Sequence, residues 1–337
     1  MVTVLPDQPA EFKNRKGGLI FFGILEILMG LFCLLIIAIS VLGILLAPYA
    51  GPGADQMVKV RVMVPTVVLY GVGAVIFFWL GIGSIAAKRW ARSLTLILSA
   101  VWLSVGVPAF GFLAYFMPKM MTMMQEQGQK LPEAALIIMQ IVMMGIYFVL
   151  FVALPGAFFL FYRSPHVLAT VEKRDPAPRW TDTRPLPILA LSLVLYFGSG
   201  SLLLMLVFPA LPLFGTVLTG LPLAIYSLSF SALLFFIAKA VYDLKMTGWI
   251  GALVVPVLGY GAGIATFLMT DYQSVYLAMG YTERQIELLH LVEIWQDPGT
   301  VTAIVFMMVL MLAIWTGYLF YVRRFFDPDP SSRGGRR

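Results

Sequence analysis

Glu26 is the one acidic side chain inside a long apolar block, so it is the residue best placed to do chemistry. It stands eight positions past the start of its block at Gly18. At ~1.5 Å per helical residue it lies about 12 Å deep, short of a bilayer midplane. A charge there costs about a few kcal/mol, so the carboxyl must be protonated, hydrogen-bonded or facing a wet cavity. As a functional group it would be a proton or cation site. As a structural one it would pair with a Ser or Tyr hydroxyl of a neighbouring helix, and this role is favoured because the fifth apolar block carries no matching acid. The other candidates for an intramembrane polar site are the hydroxyls Ser199, Ser201, Ser227, Ser229 and Ser231.

Four further patterns have chemical spacing. Met117, Met120, Met121, Met123 and Met124 offer thioethers suited to Cu(I). Lys119 adds positive charge among them, however, and no His or Cys stands near, so they read as flexible filler of an interfacial helix. His290 has Glu287 and Glu293 three residues to either side, a metal-binding or pH-sensing arrangement that a solvated interfacial His also satisfies. His166 has only Glu172 in its own segment. Gly259-Tyr260-Gly261-Ala262-Gly263 has nucleotide-loop spacing but lies mid-block with no strand before it. Helix packing through Gly259 and Gly263 explains it better, as it does Gly71, Gly73, Gly81 and Gly83. The single cysteine, Cys33, excludes an internal disulfide, and no Cys or His spacing suits zinc. No Ser/His/Asp or Cys/His set assembles, so neither a catalytic residue, a metal nor a cofactor is expected.

The elements that must hold these residues are helices in lipid. Hydrophobic residues make up 60% of the 337, and charged residues 12%, against roughly 25% in a soluble domain. Eight stretches are long enough to cross hydrocarbon: 18–46, 65–87, 92–116, 135–162, 187–208, 221–242, 248–270 and 300–322. The first is too long for the apolar core of a removable signal peptide. The net charge of +6 comes from small basic groups beside block ends, without a basic face carrying stacking aromatics, so no nucleic acid is expected as a partner. Of the 23 Lys and Arg, only Lys59, Arg61, Lys119, Lys130 and Arg284 fall in the odd gaps. That bias predicts both termini in the cytoplasm, with membrane lipids as the universal partner. Trp90, Tyr162, Tyr242, Trp249 and Tyr321 flank the blocks as headgroup-level rings would.

The fold class expected is an all-α integral membrane protein of eight transmembrane helices in two parallel four-helix repeats. Leu160-Phe161-Tyr162 and Leu319-Phe320-Tyr321 lie 159 residues apart, as do Trp90 and Trp249. With four spans each, both halves face the same way. The organisation is a first repeat over 1–170, a cytoplasmic linker over 171–186 and a second repeat over 187–337. The Pro-rich stretch within 163–186 predicts extended chain. Thr282 and Gln285 make a capping-box start for an outer interfacial helix near 283–296. The uncharged, Pro- and Gly-rich run from Phe208 to Pro222 predicts a tight outer turn, with a re-entrant segment as the alternative.

Leu80-Gly81-Ile82-Gly83-Ser84-Ile85-Ala86-Ala87-Lys88-Arg89-Trp90-Ala91-Arg92-Ser93-Leu94 resembles a hairpin of uncharacterised bacterial four-span membrane proteins, in which glycines precede a basic Trp-Ala-Arg turn and a leucine-rich span. The second half departs from it with Asp243-Leu244-Lys245-Met246-Thr247-Gly248-Trp249. The resemblance covers about a quarter of the chain. It implies a bacterial inner-membrane protein and carries over no catalytic residue. The function expected is a non-catalytic structural or accessory subunit with protein partners in the bilayer. The alternative is a secondary transporter or lipid-handling protein with a cavity between the repeats.

Overall fold

Leu19, Gly23, Glu26, Gly30 and Cys33 are buried along the first helix at alternating spacings of four and three, which draws one straight seam along it. The computed structural model describes residues 13–46, 49, 60–126, 132–208, 210–288, 292, 295 and 297–326. Helix α1 (Lys16–Leu46) lays this seam on α2 (Val60–Ile85). A Cβ on Gly23 would sit 2.8 Å from the Gly81 carbonyl oxygen, and one on Gly81 would sit 2.7 Å from that of Gly23. The two backbones therefore touch, as small residues allow in lipid. Cys33 packs opposite Gly73 on the same seam.

Helix α2 turns into α3 (Arg89–Glu126), which packs on the fourth span. That span is α4 (Glu133–Phe148), a π-helical stretch (Val149–Ala153) and α5 (Leu154–Arg163). The wide turn has a cause in sequence, because Pro155 has no N–H to give the Phe151 carbonyl. Gly106 lets α3 come up against that carbonyl: a Cβ there would be 2.3 Å from the oxygen.

The second half repeats the packing order. Helix α7 (Leu186–Leu204) packs on α8 (Gly220–Tyr242), α8 on α9 (Met246–Met269), and α9 on α12 (Pro298–Val322). All eight spans are long and apolar enough to cross a membrane, and the chain is a polytopic membrane protein. Each half has its own apolar core, one around Leu19, Phe158 and Tyr162 and the other around Ile188, Val241, Trp249 and Leu319. Helix α12 also meets α3, where Lys119 pairs with Asp297.

The turns α2–α3 and α8–α9 share one geometry. Ala87 (φ 52°) and Leu244 (φ 59°) are left-handed, and each N–H returns to a carbonyl three residues back. The next N–H returns five back, the hydrogen-bond pattern of a Schellman C-cap. Beyond the first turn, a Cβ on Gly83 would meet the Ala91 methyl at 2.7 Å; beyond the second, one on Gly248 would meet that of Ala240 at 3.0 Å. Gly263 approaches Met308 of α12, whereas Gly259 has open space around its Cα, so only one of that expected pair serves packing.

One connection differs from expectation, and another takes a specific form. The linker is not extended over its first part: α6 (Pro165–Arg174) forms because proline fits the first helical position, where its missing N–H costs nothing. A 3₁₀ turn, Trp180–Asp182, follows. Both are tied to the start of α3 by a charged cluster. Arg89 donates through Nε to Asp182 at 3.0 Å and through its backbone N–H to Asp175 at 3.3 Å, and Arg179 Nε donates to Asp175 at 3.0 Å. After α7 the chain forms a hairpin, β1 (Leu211–Leu213) with β2 (Thr216–Leu218), around left-handed Phe214 and Gly215. Pro212 faces Val217 next to the turn-flanking pair, a position that asks for no ladder N–H. The Phe214 N–H donates to Thr266 Oγ1 at 3.0 Å, docking the hairpin on the end of α9. Helix α10 (Tyr272–Ala278) and α11 (Glu283–Leu288) follow. The capping box forms as expected, with Thr282 N–H donating to Gln285 Oε1 at 2.9 Å and Gln285 N–H to Thr282 Oγ1 at 3.3 Å. His290 lies outside the described residues.

Two outcomes test this packing. Gly106→Ala should lose about 1–3 kcal/mol in detergent unfolding, since the added methyl meets backbone. Gly111→Ala, which has open space on the same helix, should not. The Arg179 hydrogen bond, then the Arg89 N–H, hold the Asp175 carboxyl below its ordinary value of 3.8. A depressed folded value stabilises the docked linker fully above that pH and loses the benefit as pH falls below it. Amide exchange over 165–185 should therefore rise on acidification below about pH 4, and Asp175→Asn should show the same rise at pH 7.

Candidate functional site

The α1 seam points Glu26 away from lipid, and its side chain is 2% exposed. Between Gly23 and Gly30 it faces an interface too tight to turn out of. Helix α3 supplies its partner, the Thr95 hydroxyl, which donates to Glu26 Oε1 at 2.7 Å. The second oxygen, Oε2, is buried without a hydrogen-bond partner among the described residues. Ser84 of α2 stands beside the carboxyl and accepts from the Tyr162 hydroxyl at 2.8 Å. Tyr162 is in turn held at its carbonyl by Arg92 Nε, 3.2 Å away. Each of the three other spans of the first half thus contributes a hydroxyl near the carboxyl.

On the other side of the carboxyl lies a void of about 10 Å³, bordered by Met29, Phe77, Leu98, Ser99, Trp102 and Phe158 as well as Thr95. Ser99 donates to the Leu96 carbonyl at 3.0 Å, which leaves its oxygen lone pairs free. The volume is about what one water molecule needs.

The candidate serines lie elsewhere. Ser199 and Ser231 bond reciprocally across the α7–α8 seam, each hydroxyl donating to the other's carbonyl at 2.8 and 2.9 Å. Ser201 donates to Phe197 of its own helix, and Ser229 is exposed. Ser227 is fully buried, its hydroxyl unpartnered among the described residues. Glu26 and these serines belong to different halves and are not brought together. The hydroxyls that do surround Glu26 (Thr95, Ser84, Ser99 and Tyr162) share no spacing in the sequence, where they are scattered over three blocks.

Two expected headgroup rings are corrected. Tyr162 is 0% exposed and bonds Ser84, while Trp249 is buried and donates its indole N–H to the Leu319 carbonyl at 2.9 Å. Sequence position gives the depth of a ring but not the direction it faces. In the same manner Trp315 donates to the Ala252 carbonyl and Tyr318 to that of Pro187. Among the described residues no three metal-binding side chains gather. Of the methionine run, Met117 is buried.

Thr95→Val keeps the shape and removes the hydroxyl that donates to Glu26 Oε1. It should destabilise by about 1–3 kcal/mol, measured by thermal unfolding in detergent. Ser201→Ala, losing only a bond within its own helix, should stay within about 0.5 kcal/mol of wild type.

Compared with protein-family models, with curated proteins and with solved structures, the chain finds no match, so its site stands on its geometry alone.

Proposed function

We propose that the chain is a bacterial inner-membrane protein of two parallel four-helix repeats, both termini cytoplasmic, serving as a non-catalytic structural or accessory subunit among partners in the bilayer. One observation carries this: several polar groups within the spans join one helix to another. Ser199 with Ser231, Thr95 with Glu26, Tyr162 with Ser84, and the donors of Trp249, Trp315 and Tyr318 each tie one span to another. Such bonds are worth about 0.6 kcal/mol apiece on average, and they fix helix order rather than line a passage. Outward, the spans offer apolar side chains such as Phe21, Ile141, Leu258 and Phe306 to lipid or partner helices.

Three features support the repeat and its orientation. The two halves share their packing order and their turn geometry. Gly83 and Ala240 are 157 residues apart, and so are their close neighbours Ala91 and Gly248. The buried stripe of α7, with Ile188, Ser192, Leu195 and Ser199, has the spacing of Leu19, Gly23, Glu26 and Gly30. The offset of 157 is two short of the one separating Trp90 from Trp249, and these rings do different work: Trp90 stacks on Trp79, while Trp249 bonds α12. Basic residues also gather at one end. Arg15 donates through its backbone to Thr170, Thr183 meets Tyr242 at 3.0 Å, and Arg323 lies over Trp249. The positive-inside bias makes that end cytoplasmic. The hairpin resemblance to bacterial four-span proteins supports the same membrane.

The unpartnered Oε2 beside its void favours a second function, a carrier coupled to a proton or cation. The two are separated by purification from native membranes in mild detergent with mass spectrometry of what co-purifies. A subunit should come with defined chains in fixed ratio; a solitary, monodisperse chain overturns the accessory role.

A further inference from the structure

The void lies on one side of Glu26 and a chain of hydroxyls on the other. Helix α2 runs towards the basic end and α3 runs away from it. Phe77 therefore stands farther from that end than Ser84, and Ser99 and Trp102 farther than Thr95. Glu26 sits between them, with the bonded hydroxyls of Ser84 and Tyr162 on its basic-end side and the void on the side of the membrane interior.

We propose that Glu26 Oε2 and this void bind one water molecule and one exchangeable proton, making a proton-binding site within the first half. A fully buried oxygen without a partner calls for a donor, and the void has room for one water to supply it. That water would find Oε2 and the free lone pairs of Ser99 as acceptors, two of the partners an internal water requires. A hard metal ion is a poorer occupant, because it collects about six or more oxygens. Here Glu26, Thr95 and Ser99 offer three side-chain groups among Met29, Phe77 and Trp102.

The charged and titratable groups on the packed elements fit a proton as well. Helix α2 faces the carboxyl with Ser84 and α3 with Thr95, neither of them charged. The fourth span brings Tyr162. The guanidinium of Arg92 is occupied by the Tyr162 carbonyl, one turn before Thr95. No neighbour therefore neutralises a carboxylate, and a proton does. Because Tyr162 donates to Ser84, the Ser84 proton is free to point at Glu26. The inference holds for an accessory subunit and a carrier alike.

Infrared spectroscopy of the whole protein in bilayers tests it, as the difference between wild type and Glu26→Gln. The expected result is a protonated-carboxyl band present at pH 7, absent from Glu26→Gln, shifting in D₂O within minutes and insensitive to sodium. A missing band, a band that never shifts in D₂O, or one abolished by sodium overturns the site. If Glu26→Gln does not fold, wild type labelled with ¹³C-carboxyl glutamate gives the same band by its isotope shift.

Discussion

Contact between the backbones of α1 and α2 at Gly23 and Gly81 is the constraint on which the first half depends. With each glycine within van der Waals reach of the other's carbonyl, the two helices cannot slide or roll. The residues that follow at three- and four-residue steps are then held in the seam whatever their chemistry. Glu26 is one of them. It is buried because its neighbours in the stripe pack closely, not because a carboxyl gains by burial. Its environment must then be answered from other helices, since hydrocarbon offers no hydrogen bonds.

The second half meets the same geometry with different chemistry. Where α1 places Gly30, α7 places Ser199, whose hydroxyl pairs with that of Ser231 across the seam, while Ser192, at the place of Gly23, bonds the Leu189 carbonyl of its own helix. Its remaining stiffness comes from aromatic donors reaching backbone carbonyls, Trp249 to Leu319 and Trp315 to Ala252. Both apolar cores lie towards the basic end, where the charged cluster around Arg89, Asp175 and Asp182 pins α6 and the 3₁₀ turn. At the opposite end the halves meet through Lys119 and Asp297, whose carboxyl also caps α12. Hydrogen bonds from Lys119 and then Thr300 hold Asp297 down at about 2, so the clamp stays charged throughout the physiological range.

The spans were legible in sequence because lipid imposes length and hydropathy on them directly. The capping box of Thr282 and Gln285 was legible because its two reciprocal bonds need only local spacing. What sequence concealed was azimuth. Tyr162 and Trp249 sit at the depth of headgroups but turn inward, and hydropathy carries no signal of that direction. Helix α6 was hidden by the prolines beyond it, although Pro165 stands where a helix begins. The hairpin was hidden because Phe214, an unusual residue for a left-handed turn position, occupies one here. The hydroxyls around Glu26 come from α2, α3 and α5 and have no common spacing. The one available clue was the stripe Leu19, Gly23, Glu26, Gly30 and Cys33, whose three-and-four rhythm places the carboxyl in a helix seam.

The small pairs beside the two turns have a consequence for hairpin closure. In the first hairpin glycine stands on the helix before the turn and alanine on the helix after it; in the second the order is reversed. The methyl is not the nearest atom in either case: a Cβ on Gly83 would strike the Trp90 ring at 2.5 Å, and one on Gly248 the Val241 nitrogen at 2.4 Å. A single added methyl at either glycine would therefore wedge the two helices apart beside their turn, so each hairpin owes its closeness to one missing carbon.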